Sequence, residues 1–206
     1  METLDIVVPV YNEEKELEDS IIKIRNFCDE HIDLKWRIII ANNASTDTTL
    51  EIARMLETKF SDVCVVHLVE KGRGRALKKT WMESDADYRC YMDVDISSDL
   101  EFLPVLIRAL RDGYDIAAGS RLLESSRTTR CLHREILSRG YNFLIKLVLW
   151  TRFSDAQCGF KAVNRRVANE LIPKITSTQW FFDTELLVLG EKKGYRIADI
   201  PIVWVE

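Results

Sequence analysis

The chain has 206 residues, 47% of them hydrophobic, which suits one domain with a sizeable core and excludes disorder over most of its length. A net charge of -4 and a pI near 5.6 exclude a dedicated nucleic-acid binder, for which a basic balance is needed. The five cysteines, Cys28, Cys64, Cys90, Cys131 and Cys158, are odd in number, widely spaced and form no C-x-x-C. They fit neither a disulfide framework nor a zinc site, so a reducing, cytoplasmic setting is expected.

Apolar runs of strand length alternate with helix-period segments. Leu4–Val10 precedes a helix from about Glu13 to Cys28, Trp36–Ala41 precedes Asp47–Thr58, and Val63–Val69 precedes Arg75–Glu83. Tyr88–Met92 then precedes Leu100–Arg111, and Asp115–Ala118 closes the series. This rhythm predicts an α/β fold, an open, mostly parallel twisted sheet with helices on both faces and ligands outside the carboxyl ends of its strands. Asn12 and the Ser45-Thr46-Asp47 run stand where short polar side chains cap helix starts. The amino terminus enters a strand at once, leaving no room for a signal peptide, and no apolar run reaches the roughly 18 to 20 residues that span a bilayer. A soluble or peripheral protein is expected.

After Ala118 the pattern changes. Residues 121–152 carry seven Lys or Arg against two Glu, a net +5 on a chain whose remainder is -9, which points to an anionic partner, either phosphates or a membrane surface. Leu122 to Leu132 reads as a loop, and His133 to Phe153 as a helix whose polar positions Glu135, Arg139, Asn142 and Lys146 form a narrow stripe. The rest of that helix is apolar and either packs on the sheet or lies at a lipid headgroup boundary, which favours Tyr141, Trp150 and Phe153 flanked by Arg139 and Arg152. One domain is therefore expected over 1–206, with a ligand-binding half at 1–120 and a basic, surface-seeking half at 121–206.

Asp93-Val94-Asp95 follows the Tyr88–Met92 strand and carries the most chemistry. Two carboxylates one residue apart at a strand's carboxyl end offer hard oxygen ligands to a divalent cation that also holds a diphosphate. Three other unusual segments, Val8-Pro9-Val10-Tyr11-Asn12-Glu13, Gly119-Ser120-Arg121 and Asp155 to Lys161, sit at other predicted strand ends, and their convergence separates this triplet from ordinary loop carboxylates. Lys71-Gly72-Arg73-Gly74-Arg75-Ala76 is not a dinucleotide fingerprint, because Leu77 stands where the third glycine belongs. Its glycines permit close backbone approach to a ligand, and Lys71, Arg73 and Arg75 supply charge for a diphosphate.

These segments, with Asn42-Asn43-Ala44-Ser45-Thr46-Asp47, Ser138-Arg139-Gly140-Tyr141-Asn142 and Trp180 to Leu186, occur in the order seen in family 2 glycosyltransferases. Over nearly the whole chain the sequence resembles the dolichyl-phosphate mannose and glucose synthase branch. The resemblance implies a GT-A fold and an inverting, metal-dependent transfer of a hexose from UDP-glucose or GDP-mannose to a polyprenyl (dolichyl) phosphate. It implies that Pro9, Tyr11 and Glu13 contact base and ribose, that Asp93 and Asp95 hold the sugar nucleotide and Mg2+ or Mn2+, and that Arg121 faces the phosphates. Asp155, at the start of the family's D-A-Q-C-G-F-K segment, is expected near the sugar, holding a hydroxyl or acting as a base. Two departures stand out: Asn42-Asn43 replaces a pair of aspartates common in the family, and Ser97 replaces a longer polar residue found in some mannose synthases. If Asn43 faces a uracil ring, its carbonyl accepts the ring N–H as a neutral, weaker partner than a carboxylate.

A lipid phosphate has a second pKa near 6 and is largely an anionic nucleophile at neutral pH, so no strong general base is required. Arg121, Arg130, Arg134 and Arg139 would clamp that phosphate while the 141–150 segment rests on the bilayer. Two alternatives stay open on sequence: transfer to a saccharide hydroxyl with Asp155, Asp183 or Glu185 as base, and a non-catalytic sugar-nucleotide-binding module. Many members of the branch continue into membrane-spanning helices, so attachment at the cytoplasmic face of a membrane is expected through the interfacial helix, an anchoring subunit or further chain. The D-A-Q-C-G-F-K and W-F-F-D-T-E-L-L spellings lean towards the glucose synthases.

Overall fold

The computed structural model describes residues 1–129 and 132–205. Its elements run β1 (Thr3–Val10), α1 (Leu17–His31), β2 (Lys35–Asn43), α2 (Thr49–Lys59), β3 (Val63–Leu68), α3 (Arg73–Glu83) and β4 (Tyr88–Met92). A 3-10 turn at Leu100–Phe102 leads into α4 (Leu103–Arg111), then β5 (Ile116–Ser120), β6 (Arg127–Thr129) and α5 (Leu132–Leu149). The chain continues through β7 (Phe160–Asn164), α6 (Arg165–Glu170), a second 3-10 turn at Ile172–Lys174, α7 (Phe182–Lys192), β8 (Ile197–Pro201) and β9 (Val203–Val205).

Seven strands form one sheet in the order β3-β2-β1-β4-β7-β5-β8, parallel except for β7, which runs antiparallel between β4 and β5. The strands read as near-continuous apolar runs because helices cover both faces. Successive residues alternate between two cores, as the pleat requires. Leu4, Ile6, Val8, Ile38 and Ile40 meet α1, α2 and α4 on one side. Val7, Ile39, Ala41 and Tyr91 meet α3, α6 and α7 on the other.

Three expectations are corrected. Helix α1 begins at Leu17, because Asn12 takes a left-handed φ of 57° and its side chain reaches across to another loop instead of capping a helix. Helix α5 ends at Leu149, because Trp150 adopts a left-handed φ of 52° and breaks the ladder before Phe153. The 122–132 loop contains β6, which pairs in parallel with β9; three residues are too short to show a period in sequence.

Candidate active site

The carboxyl ends of β1, β2, β4 and β5 open on one edge of the sheet. Because β7 is antiparallel, the Asp155–Gly159 segment that precedes it reaches the same edge. The loops after β1 and β2 are zipped together. Asn12 N–H donates to Ser45 Oγ (3.0 Å), Thr46 N–H to Asn12 Oδ1 (2.9 Å), Glu13 N–H to Thr49 Oγ1 (2.8 Å) and Thr48 Oγ1 to Glu14 Oε2 (2.7 Å). This fixes Tyr11 and Glu13 on the wall of a cavity of ≈ 510 Å³ shared with Pro9, Asn43, Lys71, Asp93 and Asp95. The Lys71 ammonium lies 3.3 Å from the Tyr11 ring centroid, joining a cation to a flat aromatic face. Asn43 Oδ1 is already engaged, accepting the Gly72 N–H at 2.6 Å and so holding the glycine turn, rather than standing free for a base.

Carboxylates gather at the floor of this cavity. Burial, then the neighbouring Glu16 and Asp95, push the Glu13 carboxyl above its usual range. Asp93 is likewise raised: protein packed around its inner side desolvates it against the opposing pull of Arg73, although its outer side opens on the cavity. Asp95 is exposed, its Oδ1 accepting the Ser97 N–H at 3.0 Å. Asp93 lies directly against Gly159: a Cβ there would fall 1.7 Å from Asp93 Oδ2. Gly159→Ala is therefore expected to push Asp93 aside and weaken binding of the nucleotide sugar that the resemblance implies at least about tenfold by calorimetry, with the rest of the fold intact. Unchanged affinity would show that the carboxylate need not sit there.

Behind Asp93 lies a buried charge network that the sequence reading did not assemble. Arg73, at the first position of α3, bonds Asp93 Oδ1 through Nη2 (2.7 Å) and Asp183 Oδ2 through Nη1 (2.5 Å). Asp183 Oδ1 also accepts from Lys161 Nζ (3.0 Å) and from the Tyr91 hydroxyl. Lys161 is fully buried and donates further to Cys158 O (2.5 Å) and Ala156 O (3.3 Å). Burial raises the Asp183 carboxyl, but Lys161 and Arg73 outweigh it and hold the group below its usual range. One signal was available: a lysine inside the apolar strand Phe160-Lys161-Ala162-Val163 has to be paired when both sheet faces are covered.

Arg121 and Asp155 form a second buried pair, Nε to Oδ2 at 2.7 Å and Nη2 to Oδ1 at 3.1 Å, and the Arg121 and Gln157 backbone N–H groups complete the carboxylate's shell. Burial raises Asp155 and Arg121 more than reverses it, leaving the carboxyl below its usual range. The hydroxyl-holding or base role expected of Asp155 meets a fully buried group with both oxygens engaged, and in this geometry it positions Arg121. The other two candidate bases are equally committed: Asp183 to the network above, and Glu185 to the Thr176 and Ser177 N–H groups at 2.9 and 2.7 Å.

Arg121, Arg73 and Asp93 form one end of a groove of ≈ 930 Å³ whose walls are Ile136, Leu137, Phe143 and Leu144 of α5 with Trp180 and Trp204. The groove meets the first cavity at Arg73, Asp93 and Trp180, which line both. Of the two settings left open for the apolar surface of α5, much of it faces outward. Ser138 and Asn142 are buried, Asn142 Oδ1 accepting the Ala156 N–H at 2.8 Å, while Ile136, Leu137, Phe143, Leu144, Leu147 and Val148 are each more than half exposed. Not every expected cation reaches the site. Arg75 pairs with Glu70 and Arg139 with Glu135, and neither lines a cavity wall there. Arg130 and the side chain of Arg134 lie outside the described residues. Among the described residues, Cys28, Cys64, Cys90 and Cys158 are free thiols, and no helix is long and apolar enough to cross a membrane.

Glycosyltransferase AglD of Haloferax volcanii is 32% identical over 204 residues, which is 98% of this chain and 33% of that protein. The dolichyl-phosphate beta-glucosyltransferase of Drosophila melanogaster is 28% identical over 98% of the chain and 67% of its own length. The chain thus spans one third of the archaeal relative and about two thirds of the insect one. Among solved structures, glucosyl-3-phosphoglycerate synthase from Mycobacterium tuberculosis with Mn2+, UDP and glucosyl-3-phosphoglycerate superposes with a TM-score of 0.74 at 19% identity, covering 98% of this chain and 71% of that one. The mannosyltransferase of Pyrobaculum calidifontis with GDP-Man and Mn2+ gives 0.65 at 18%, covering 98% and 56%. The shared fold is GT-A. Residues 5–172 match the family model described as Glycosyl transferase family 2, and with most of its length so matched the chain belongs to that family.

Proposed function

We propose that the chain moves a hexose from a nucleotide sugar, UDP-glucose or GDP-mannose, to a polyprenyl phosphate at the cytoplasmic face of a membrane, with inversion at the anomeric carbon. The observation that carries this reading is the apolar groove along α5 ending at Arg73, Arg121 and Asp93, beside a cavity lined by the nucleotide-type residues. An isoprenoid tail suits the groove and its phosphate suits the arginines. All three carboxylates available as bases are engaged elsewhere, which suits an acceptor that arrives ionised. Relatives named as dolichyl-phosphate beta-glucosyltransferases support glucose as the sugar.

The residues also fit a divalent cation. Asp93 and Asp95 offer hard oxygens at the cavity floor, Gly159 leaves room for Asp93, and Glu13 lines the same cavity. No group of three or more His, Cys, Asp or Glu is arranged as a closed metal cage among the described residues. Two carboxylates completed by substrate phosphates are what Mg2+ or Mn2+ takes in such sites. When bound, the cation supplies positive charge against the leaving diphosphate. Tyr11 and Lys71 would hold the nucleoside end, and Arg121, locked by Asp155, would orient the acceptor phosphate opposite the leaving group. One phosphate oxygen forms the new bond to the anomeric carbon as the bond to the diphosphate breaks, and the nucleoside diphosphate departs with the electron pair. No proton moves.

A transfer assay tests this with purified protein, Mg2+ or Mn2+, a short polyprenyl phosphate and radiolabelled UDP-glucose or GDP-mannose in parallel. Label entering lipid from one donor supports the reading; transfer to a saccharide and not to lipid overturns it. Leu144→Glu, on the exposed face of α5, is expected to lower transfer to vesicle-borne acceptor by roughly an order of magnitude while leaving nucleotide-sugar affinity unchanged. Equal rates on vesicles would remove α5 from acceptor handling. Attachment through α5 alone or with an anchoring subunit is part of the same proposal.

A further inference from the structure

Among the described residues, Arg73 is the side chain that bridges the D-x-D to the buried network, and four contacts hold it. Its Nη1 is on Asp183 and its Nη2 on Asp93, and its guanidinium carbon lies 5.0 Å from the Tyr91 ring and 4.9 Å from the Trp180 ring. The two carboxylates are not equivalent. Asp183 is buried and fixed from its other oxygen by Lys161, whereas the Asp93 side chain is nearly half exposed at the cavity floor. One arm of the fork is therefore anchored and the other rests on a group that the donor site needs.

We infer that Arg73 is an exchangeable counter-ion of the D-x-D: it neutralises Asp93 while no cation is there, and it surrenders Asp93 Oδ1 to the cation when donor and metal arrive. A cation and a guanidinium on one carboxylate repel each other, so each weakens the other's hold on it. Asp183 and the two rings keep the displaced guanidinium at the junction of cavity and groove, both of which it lines. The freed N–H pair then serves the phosphates that meet there. The arginine fork suits this exchange because its two terminal nitrogens stand apart in one rigid plane, so one can stay on Asp183 while the other lets go, whereas a lysine offers its donors from a single point. The inference rests on the metal-dependent reading above and adds a competition between a side chain and the metal for one carboxylate oxygen.

The competition gives an opposite-signed signature. In Mn2+ titrations followed by electron paramagnetic resonance without nucleotide, Arg73→Gln is expected to bind Mn2+ roughly tenfold more tightly than wild type, because the competing cation is gone. With UDP present the order reverses, and the variant holds the Mn2+–UDP pair less tightly than wild type. Arg73→Lys, which retains the positive charge but reaches one carboxylate only, is expected to show the first effect in smaller degree. A merely structural role would weaken both measurements together, and thermal denaturation of each variant reports whether it is folded. Wild type and Asp95→Ala binding no Mn2+ alike would overturn the metal reading and the inference with it. Wild-type binding that Asp95→Ala abolishes, with neither Arg73 variant tighter, would overturn the inference alone.

Discussion

Asp95→Ala is expected to lower hexose transfer by at least about 10²- to 10³-fold and to abolish the dependence of nucleotide-sugar binding on divalent cations, with little change in melting temperature. The asymmetry follows from where Asp95 sits. Its carboxylate is exposed to the cavity, and its hydrogen bond from the Ser97 N–H closes a short turn. That turn has a second support, since Val205 N–H donates to Ser97 O at 2.9 Å and Ser98 bridges to Trp204. Loss of the carboxylate therefore falls on ligand binding, and exposed substitutions of this kind cost stability only about 0.5 kcal/mol. Parallel measurements of label transfer and of binding with and without Mn2+ check the result. Wild-type turnover in the variant would remove the D-x-D from the reaction.

Lys161→Met should do the reverse, damaging the fold before the chemistry. Lys161 is fully buried, and its removal leaves Asp183 with Arg73 as its remaining cationic partner and takes the ammonium donor from the Ala156 and Cys158 carbonyls. Breaking a buried pair from one side costs about 3–5 kcal/mol, which for a chain of this length is a drop of roughly 10 °C in melting temperature. Acidification probes the same charges. Asp183 and Asp155 are both held below the ordinary carboxylate range, so their contribution is fully present above a pH of about 4 and is lost as pH falls through the folded values. The variant should accordingly lose less stability than wild type between neutral and acidic pH. Denaturant melts at both pH values measure this, and an unchanged melting temperature would mean that Lys161 is not the network's counter-charge.

The legible part of the fold is the part whose periodicity is local. Strands β1 to β5 carry their own apolar runs, so the segments at their ends can be placed on one edge from sequence; the family resemblance then assigns Pro9, Tyr11, Glu13, Asp93 and Asp95 to the ligand there, and with Lys71 they line one cavity. What was not legible depends on neighbours distant in sequence. Of the three cations in the Lys71–Arg75 turn, Arg73 points inward because Gly74 packs against α7; a Cβ on Gly74 would come within 2.7 Å of Phe182 Cβ. Nothing in the turn itself distinguishes Arg73 from Arg75. In α5 the small polar residues Ser138 and Asn142 face inward because Asn142 satisfies the Ala156 N–H, and the apolar face is left outside. A polar stripe alone does not say which side meets the protein.

The antiparallel strand β7 joins β4 to β5 and is made last of the three. During synthesis, β4 and β5 are complete some forty residues before the strand that bonds them to one another leaves the ribosome. Both are buried in the finished sheet, so until then two apolar edges wait unpaired, a condition that invites wrong pairing. The same late strand carries Lys161 and follows the glycine on which Asp93 rests. Joining β4 to β5 and setting Gly159 and Lys161 beside Asp93 therefore fall on one folding step, with β8 and the helix that brings Asp183 still to follow, and a nascent chain stalled before residue 160 has the D-x-D in sequence but not its setting.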